Sequence, residues 1–145
     1  MPLVLTIPLV MLGGSMGAIC RYLLQALFAS RTSLPGWCGI LIINVIGSFL
    51  VGLVVKWISA EIGALKHGGQ SLMGLELERL ELQELMALTA VGFCGAFTTF
   101  STFSLDNVFL ATEGRGRFLV NTVGSVVLCL GAVWAGWALG SAVSA

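Results

Sequence analysis

Gly92-Phe93-Cys94-Gly95-Ala96-Phe97-Thr98-Thr99-Phe100-Ser101-Thr102-Phe103 lies at the centre of an uncharged run from Leu85 to Leu105. That run has about the 20 residues needed to cross a bilayer as a helix. Its middle is poorly suited to one. Gly92, Gly95 and the Thr98-Thr99 pair all weaken helix propensity. Broken helix at membrane depth is tolerated only where it is buried in protein or lines a water-filled cavity. The stretch therefore predicts a helix interrupted near residues 95–102 that marks a pore or a binding site.

The rest of the chain supplies the surrounding membrane protein. It has 145 residues, 57% hydrophobic and 10% charged, with mean hydropathy +1.01, a membrane-protein composition. Formal net charge is zero, so nothing points to nucleic acid or to an acidic partner. Charges divide the sequence into four apolar stretches: Met1 to Cys20 (extending past Arg21 to about Ala29), Thr32 to Val55, Leu85 to Leu105, and Phe118 to Ala145. The first lacks the positive n-region of a secretory signal, and Gly13, Gly14 and Gly17 read as helix-packing positions. It counts as a span.

The expected architecture is an all-α membrane protein of four transmembrane helices, roughly residues 3–28, 38–58, 85–111 and 118–142, with the third broken. Trp37 and Trp57 bracket the second as an aromatic belt, and Lys56 snorkels to the headgroups. The connector 59–84 is polar. Its second half, Gly74 to Leu85, mixes leucine with acid and predicts an amphipathic, partly interfacial helix.

With four spans, both termini and the long connector share one side. Lys56, Lys66 and Arg79 lie there; Arg31, Arg115 and Arg117 lie opposite, with Arg21 at the nearest membrane end. This near-balance gives almost no positive-inside bias. A chain without bias can insert both ways, so two copies can pair as an antiparallel, dual-topology homodimer.

No catalytic constellation, phosphate loop or metal-ligand cluster is visible. The acids, Glu61, Glu76, Glu78, Glu81, Glu84, Asp106 and Glu113, are expected in connectors or at helix ends. Cys20, Cys38, Cys94 and Cys129 read as small packing residues, and His67 as a solvated loop residue. Arg21 has two readings: a snorkelling helix end, or a cation that draws anions into a vestibule. Asn44, alone in an apolar run, is either interhelical glue or a pore-lining donor. Asn121, Ser125 and Cys129 share one helix face, which fits either a hydrated track or small-residue packing. Phe97, Phe100 and Phe103 recur every three residues among hydroxyls. Ring edges carry positive charge, so edges and hydroxyls facing a narrow passage suit a small anion.

Taken together, Gly13-Gly14 through Arg21, Ile43-Asn44-Val45-Ile46-Gly47-Ser48, the twelve residues from Gly92, and Asn121-Thr122-Val123-Gly124-Ser125 resemble the Fluc (CrcB) family of fluoride channels. The resemblance spans the chain except the connector, so residues 1–145 are expected to form one channel domain. It implies a passive, fluoride-selective channel of a bacterial inner membrane, not an enzyme, that exports fluoride trapped inside after entry as HF. It also implies an antiparallel homodimer with two pathways. Phe100 and Phe103 would present ring edges, with Asn44, Ser101, Thr102 and Ser125 as donors and Arg21 as the first-helix arginine. A structural sodium ion at the dimer centre would be held by the backbone carbonyls of Gly95 and Thr98. Asn121 stands where the family often has Tyr or His, and Cys129 where a hydroxyl is frequent. The alternatives are a small dual-topology drug exporter, which would need a membrane-embedded glutamate that no residue before Glu61 supplies, and a non-transporting assembly subunit.

Overall fold

The computed structural model describes residues 3–32, 35–65 and 72–143. Lys66 and His67 lie outside the described residues. The described residues are all-helical: α1 (Leu3–Arg31), α2 (Gly36–Leu65), α3 (Leu72–Met86), a π-helical segment (Ala87–Cys94), α4 (Gly95–Phe97), α5 (Phe100–Glu113) and α6 (Arg115–Val143). Among the described residues, four helical spans are long and apolar enough to cross a membrane: Leu5–Arg31, Gly36–Leu65, Glu76–Glu113 and Arg115–Val143.

Two boundaries differ from expectation. The second helix continues to Leu65 instead of ending near Ile58. Its 30 residues rise about 45 Å against roughly 30 Å of hydrocarbon, so its last turns tilt or leave the membrane. The other difference is continuity. α3 runs through the π-helical segment into α4 without interruption, so most of the connector expected between spans is helical. Leu and Glu are both good helix formers, and nothing between Gly74 and Met86 breaks the ladder. Lys56 does more than snorkel: its ammonium lies 5.3 Å from the centre of the Trp137 ring, in cation–π range.

The most extensive helix contact joins α2 to α6. Gly52 faces the Val133 carbonyl, and Gly136 faces the Phe49 carbonyl. Each glycine admits the other helix's backbone where a side chain would exclude it. Lipid gives no hydrophobic drive between helices, so close approach of small residues supplies the packing. Gly136→Leu is expected to destabilise the protein by about 3 kcal/mol or more, from overpacking. Thermal unfolding in detergent measures this. Gly131→Leu, on the same helix with open space at its Cβ position, should unfold near the parent temperature.

α1 packs on the third span. Gly13 and Gly17 meet the backbone at Leu88 and Phe93. A Cβ on Gly92 would lie 2.8 Å from the Val10 carbonyl oxygen. The π-helical segment lies along this contact. Such wide turns occur as single-turn bulges near functional sites, and this one precedes the break.

Candidate functional site

The break is sharper than the sequence suggested. Gly95 is still helical (φ −63°, ψ −34°), and only Thr98 (φ −77°, ψ 157°) and Thr99 (φ −144°, ψ 121°) are extended. Two β-branched residues suit that conformation. Asn44 holds it open from α2: the Thr99 amide donates to Asn44 Oδ1 at 2.8 Å, and Asn44 Nδ2 donates to the Thr99 carbonyl at 3.1 Å. The Thr99 amide therefore does not close a helical turn onto Gly95. Thr99 then caps α5, its Oγ1 accepting from the Thr102 amide at 3.3 Å, as N-cap hydroxyls do.

A cavity of about 340 Å³ opens beside the break, between α2, α5 and α6. Asn44, Ser48, Thr98, Thr99, Phe100, Phe103, Ser125 and Cys129 contribute to its lining. The Phe100 and Phe103 rings lie 5.7 Å apart at 43°. Phe100 is 78% exposed although it sits in mid-span. The break separates these rings from Phe97, which is buried and stacked on Phe93 at 5.6 Å. The three-residue phenylalanine period thus serves two surroundings.

Asn44 ties two helices together. Its amide clamps Thr99, and its side chain also lines the cavity. One Nδ2 hydrogen remains for a ligand, since an amide nitrogen carries two. Ser125 is buried on the cavity wall, with Cys129 one turn along. Asn121, on the same face, turns to α5 instead: its Nδ2 donates to Asn107 Oδ1 at 2.9 Å.

The remaining predicted residues are elsewhere. Ser101 is exposed, and its hydroxyl lies 3.3 Å from Thr99 Oγ1. The Thr102 hydroxyl is 3.1 Å from the same oxygen, and Thr102 lines a second cavity of about 280 Å³ with Gln25, Phe28, Thr32 and Asp106. Arg21 is half-buried on α1, lines neither cavity, and has no ion pair among the described residues. Gly95 is exposed, with no atom within 4 Å of its Cβ position.

One acid is misplaced by the sequence reading. Asp106 is neither in a connector nor at a helix end: α5 begins at Phe100, which puts Asp106 well inside it, with Oδ2 buried and without a partner among the described residues. Thr99 as cap and clamp partner, Ser48 on the cavity and Asn107 behind it were not anticipated. A Thr directly before a run that opens on Phe100 is a recognisable N-cap signal, but the glycines ahead of it mask the helix start.

Residues 8–137 match the family described as CrcB-like protein, Camphor Resistance (CrcB). The chain belongs to the CrcB family. A protein of Opitutus terrae named fluoride-specific ion channel FluC is 36% identical over 126 residues, which cover 86% of this chain and 84% of that one. The FluC 2 protein of Cutibacterium acnes is 44% identical over 62 residues, 43% of this chain and 46% of its own. The Deinococcus radiodurans FluC is 49% identical over 47 residues, 30% of this chain and 36% of its own. Membership of this family, together with the four apolar helical spans, identifies a multi-pass membrane protein that is not an enzyme.

Proposed function

We propose that the chain is a fluoride-selective channel and that the cavity beside the Thr98-Thr99 break is part of its pathway. The observation that carries this is the juxtaposition, in one cavity, of the paired Phe100 and Phe103 rings with the Asn44 amide and the Ser125 hydroxyl. Fluoride holds its hydration tightly. A pore must replace lost water with donors of fixed geometry. Asn44 has a spare N–H, Ser125 an O–H, and ring edges add polarised C–H groups. Ser101 and Thr102 hold their hydroxyls around Thr99 and support the rings' backbone. Arg21, away from the cavity, acts at longer range as a cation that favours anions.

A single copy leaves this cavity open and Phe100 largely uncovered. An antiparallel homodimer covers both, and two copies then form two pathways. The balanced distribution of Lys and Arg supports that arrangement, since neither orientation is favoured. The same face suits the structural sodium ion. The Thr99 amide is directed to Asn44, which leaves the Gly95 carbonyl without its helical donor, and Gly95 itself is exposed. The Gly95 and Thr98 carbonyls would hold the ion, because oxygen ligands suit a hard cation. Bound there, the ion would supply positive charge beside the break. The outcome for the cell is passive release of fluoride through the inner membrane.

The test is fluoride release from liposomes holding the purified protein, read with a fluoride electrode, with chloride in parallel. Valinomycin-dependent fluoride release without chloride release is expected. No fluoride release from a well-folded dimer would overturn the channel reading.

A further inference from the structure

Among the described residues, the buried polar side chains are Thr99, Asn107, Asn121 and Ser125. Thr99 belongs to the break. The other three join α5 to α6, and only Ser125 of the three reaches the cavity. Asn121 Nδ2 donates to Asn107 Oδ1 at 2.9 Å, and the Thr122 hydroxyl donates to the same oxygen at 3.0 Å. Ser125 Oγ donates to Asn121 Oδ1 at 3.4 Å. Asn121 is 2% exposed, so water does not compete for these groups.

In this direction the row works against an anion. Ser125 has one hydroxyl proton, and it points at Asn121, away from the cavity. The oxygen's lone pairs face the space where an anion would pass. The same heavy atoms admit the opposite direction. An amide turned about its Cβ–Cγ bond exchanges Nδ2 and Oδ1 at nearly the same positions. With both amides turned, Asn107 Nδ2 donates to Asn121 Oδ1 and to Thr122 Oγ1. Asn121 Nδ2 donates to Ser125 Oγ, and the Ser125 proton is free for the cavity. No covalent bond changes and no proton leaves its atom. Each donor now polarises the next toward the cavity. The 3.4 Å link is long beside the usual O–H···O length of about 2.8 Å, so the row is weakest at its cavity end, where reversal begins.

We propose that Asn107 and Asn121 form a reversible amide relay that turns Ser125 from a hydroxyl facing inward into a donor aligned on a passing anion. Both are positioning residues. The inference rests on the fluoride-channel reading and adds to it two residues that do not line the cavity.

A double-mutant cycle in the liposome assay tests it. Asn107→Leu keeps the branched outline with somewhat more bulk and removes the back of the relay. In the parent it is expected to slow fluoride release about tenfold, the factor one hydrogen bond is worth. In a Ser125→Ala background the same change should alter release by less than roughly twofold, since no hydroxyl remains to orient. A purely structural role predicts the same factor in both backgrounds and would overturn the relay, as would parent-like release from Asn107→Leu. Asn121→Ser, which shortens the relay without inserting bulk, runs the same cycle if Asn107→Leu does not give a folded dimer. The unsubstituted protein separates the two failures: without fluoride release from it the channel reading falls, and with release but no coupling only the relay falls.

Discussion

Fluoride release from liposomes is expected to fall by about a hundredfold or more in Phe100→Ile and in Phe103→Ile, with the dimer intact. A hundredfold slowing corresponds to about 2.7 kcal/mol of added barrier. Isoleucine retains apolar bulk and removes the ring edge, so the substitution isolates the edge electrostatics. The structure separates this effect from simple damage. Phe100 is 78% exposed in the single chain, so its removal leaves the chain's own core untouched. Phe97 provides the contrast: it is 3% exposed and stacked on Phe93. Phe97→Ile should lower thermal stability, with flux falling only as folded protein is lost. Flux per folded dimer, measured with size-exclusion chromatography of each variant, distinguishes the two. Parent-like flux in both cavity variants would remove the ring-edge argument.

The four spans were legible because charge alone delimits them. Seven basic and seven acidic residues in 145 leave long uncharged runs, and lipid admits few structures for such runs. The existence of a break was legible for a related reason: glycine and threonine at mid-membrane conflict with a continuous helix. Its exact place was not. Gly95 stays helical because glycine permits a break without imposing one, whereas Asn44 imposes one by capturing the Thr99 amide. That partner lies on another helix, and spacing within the twelve residues carries no trace of it. Asn44 itself was recognisable as a buried amide needing satisfaction. Which group satisfies it was settled by tertiary packing. The same holds for Asn121. Its register with Ser125 and Cys129 put it on a polar face, but a face spans enough arc to reach two neighbours. Ser125 and Cys129 meet the cavity, while Asn121 meets Asn107 on α5. Asp106 shows the converse error: the sequence puts it towards the end of the expected 85–111 span, whereas α5, running from Phe100 to Glu113, holds it well inside a helix.

Asn44→Ala is expected to damage stability and conduction together, because the amide is both clamp and lining. Removing it leaves the Thr99 N–H and C=O without the partners they have at 2.8 and 3.1 Å. An unsatisfied buried backbone group costs about 1–3 kcal/mol, so the pair amounts to roughly 2–6 kcal/mol. The chain can recover part of this in one way: the Thr99 amide turns back to the Gly95 carbonyl and the helix closes through the break. That closure rotates Phe100 and Phe103 relative to Asn44's helix and takes the Gly95 carbonyl out of reach of a cation. Fluoride release should therefore fall at least tenfold, about 1.4 kcal/mol or more of barrier, with a lowered unfolding temperature. Asn44→Asp should behave similarly. One carboxylate oxygen can still accept from the Thr99 amide, but the other faces the Thr99 carbonyl with no proton to offer. Ser48→Ala, on the same cavity and without a hydrogen bond to the break, should unfold near the parent temperature. If Asn44→Ala loses conduction and keeps full stability, Asn44 acts as a lining donor and the break is held by other contacts. If stability falls as predicted, the clamp on Thr99 is what keeps the third span open.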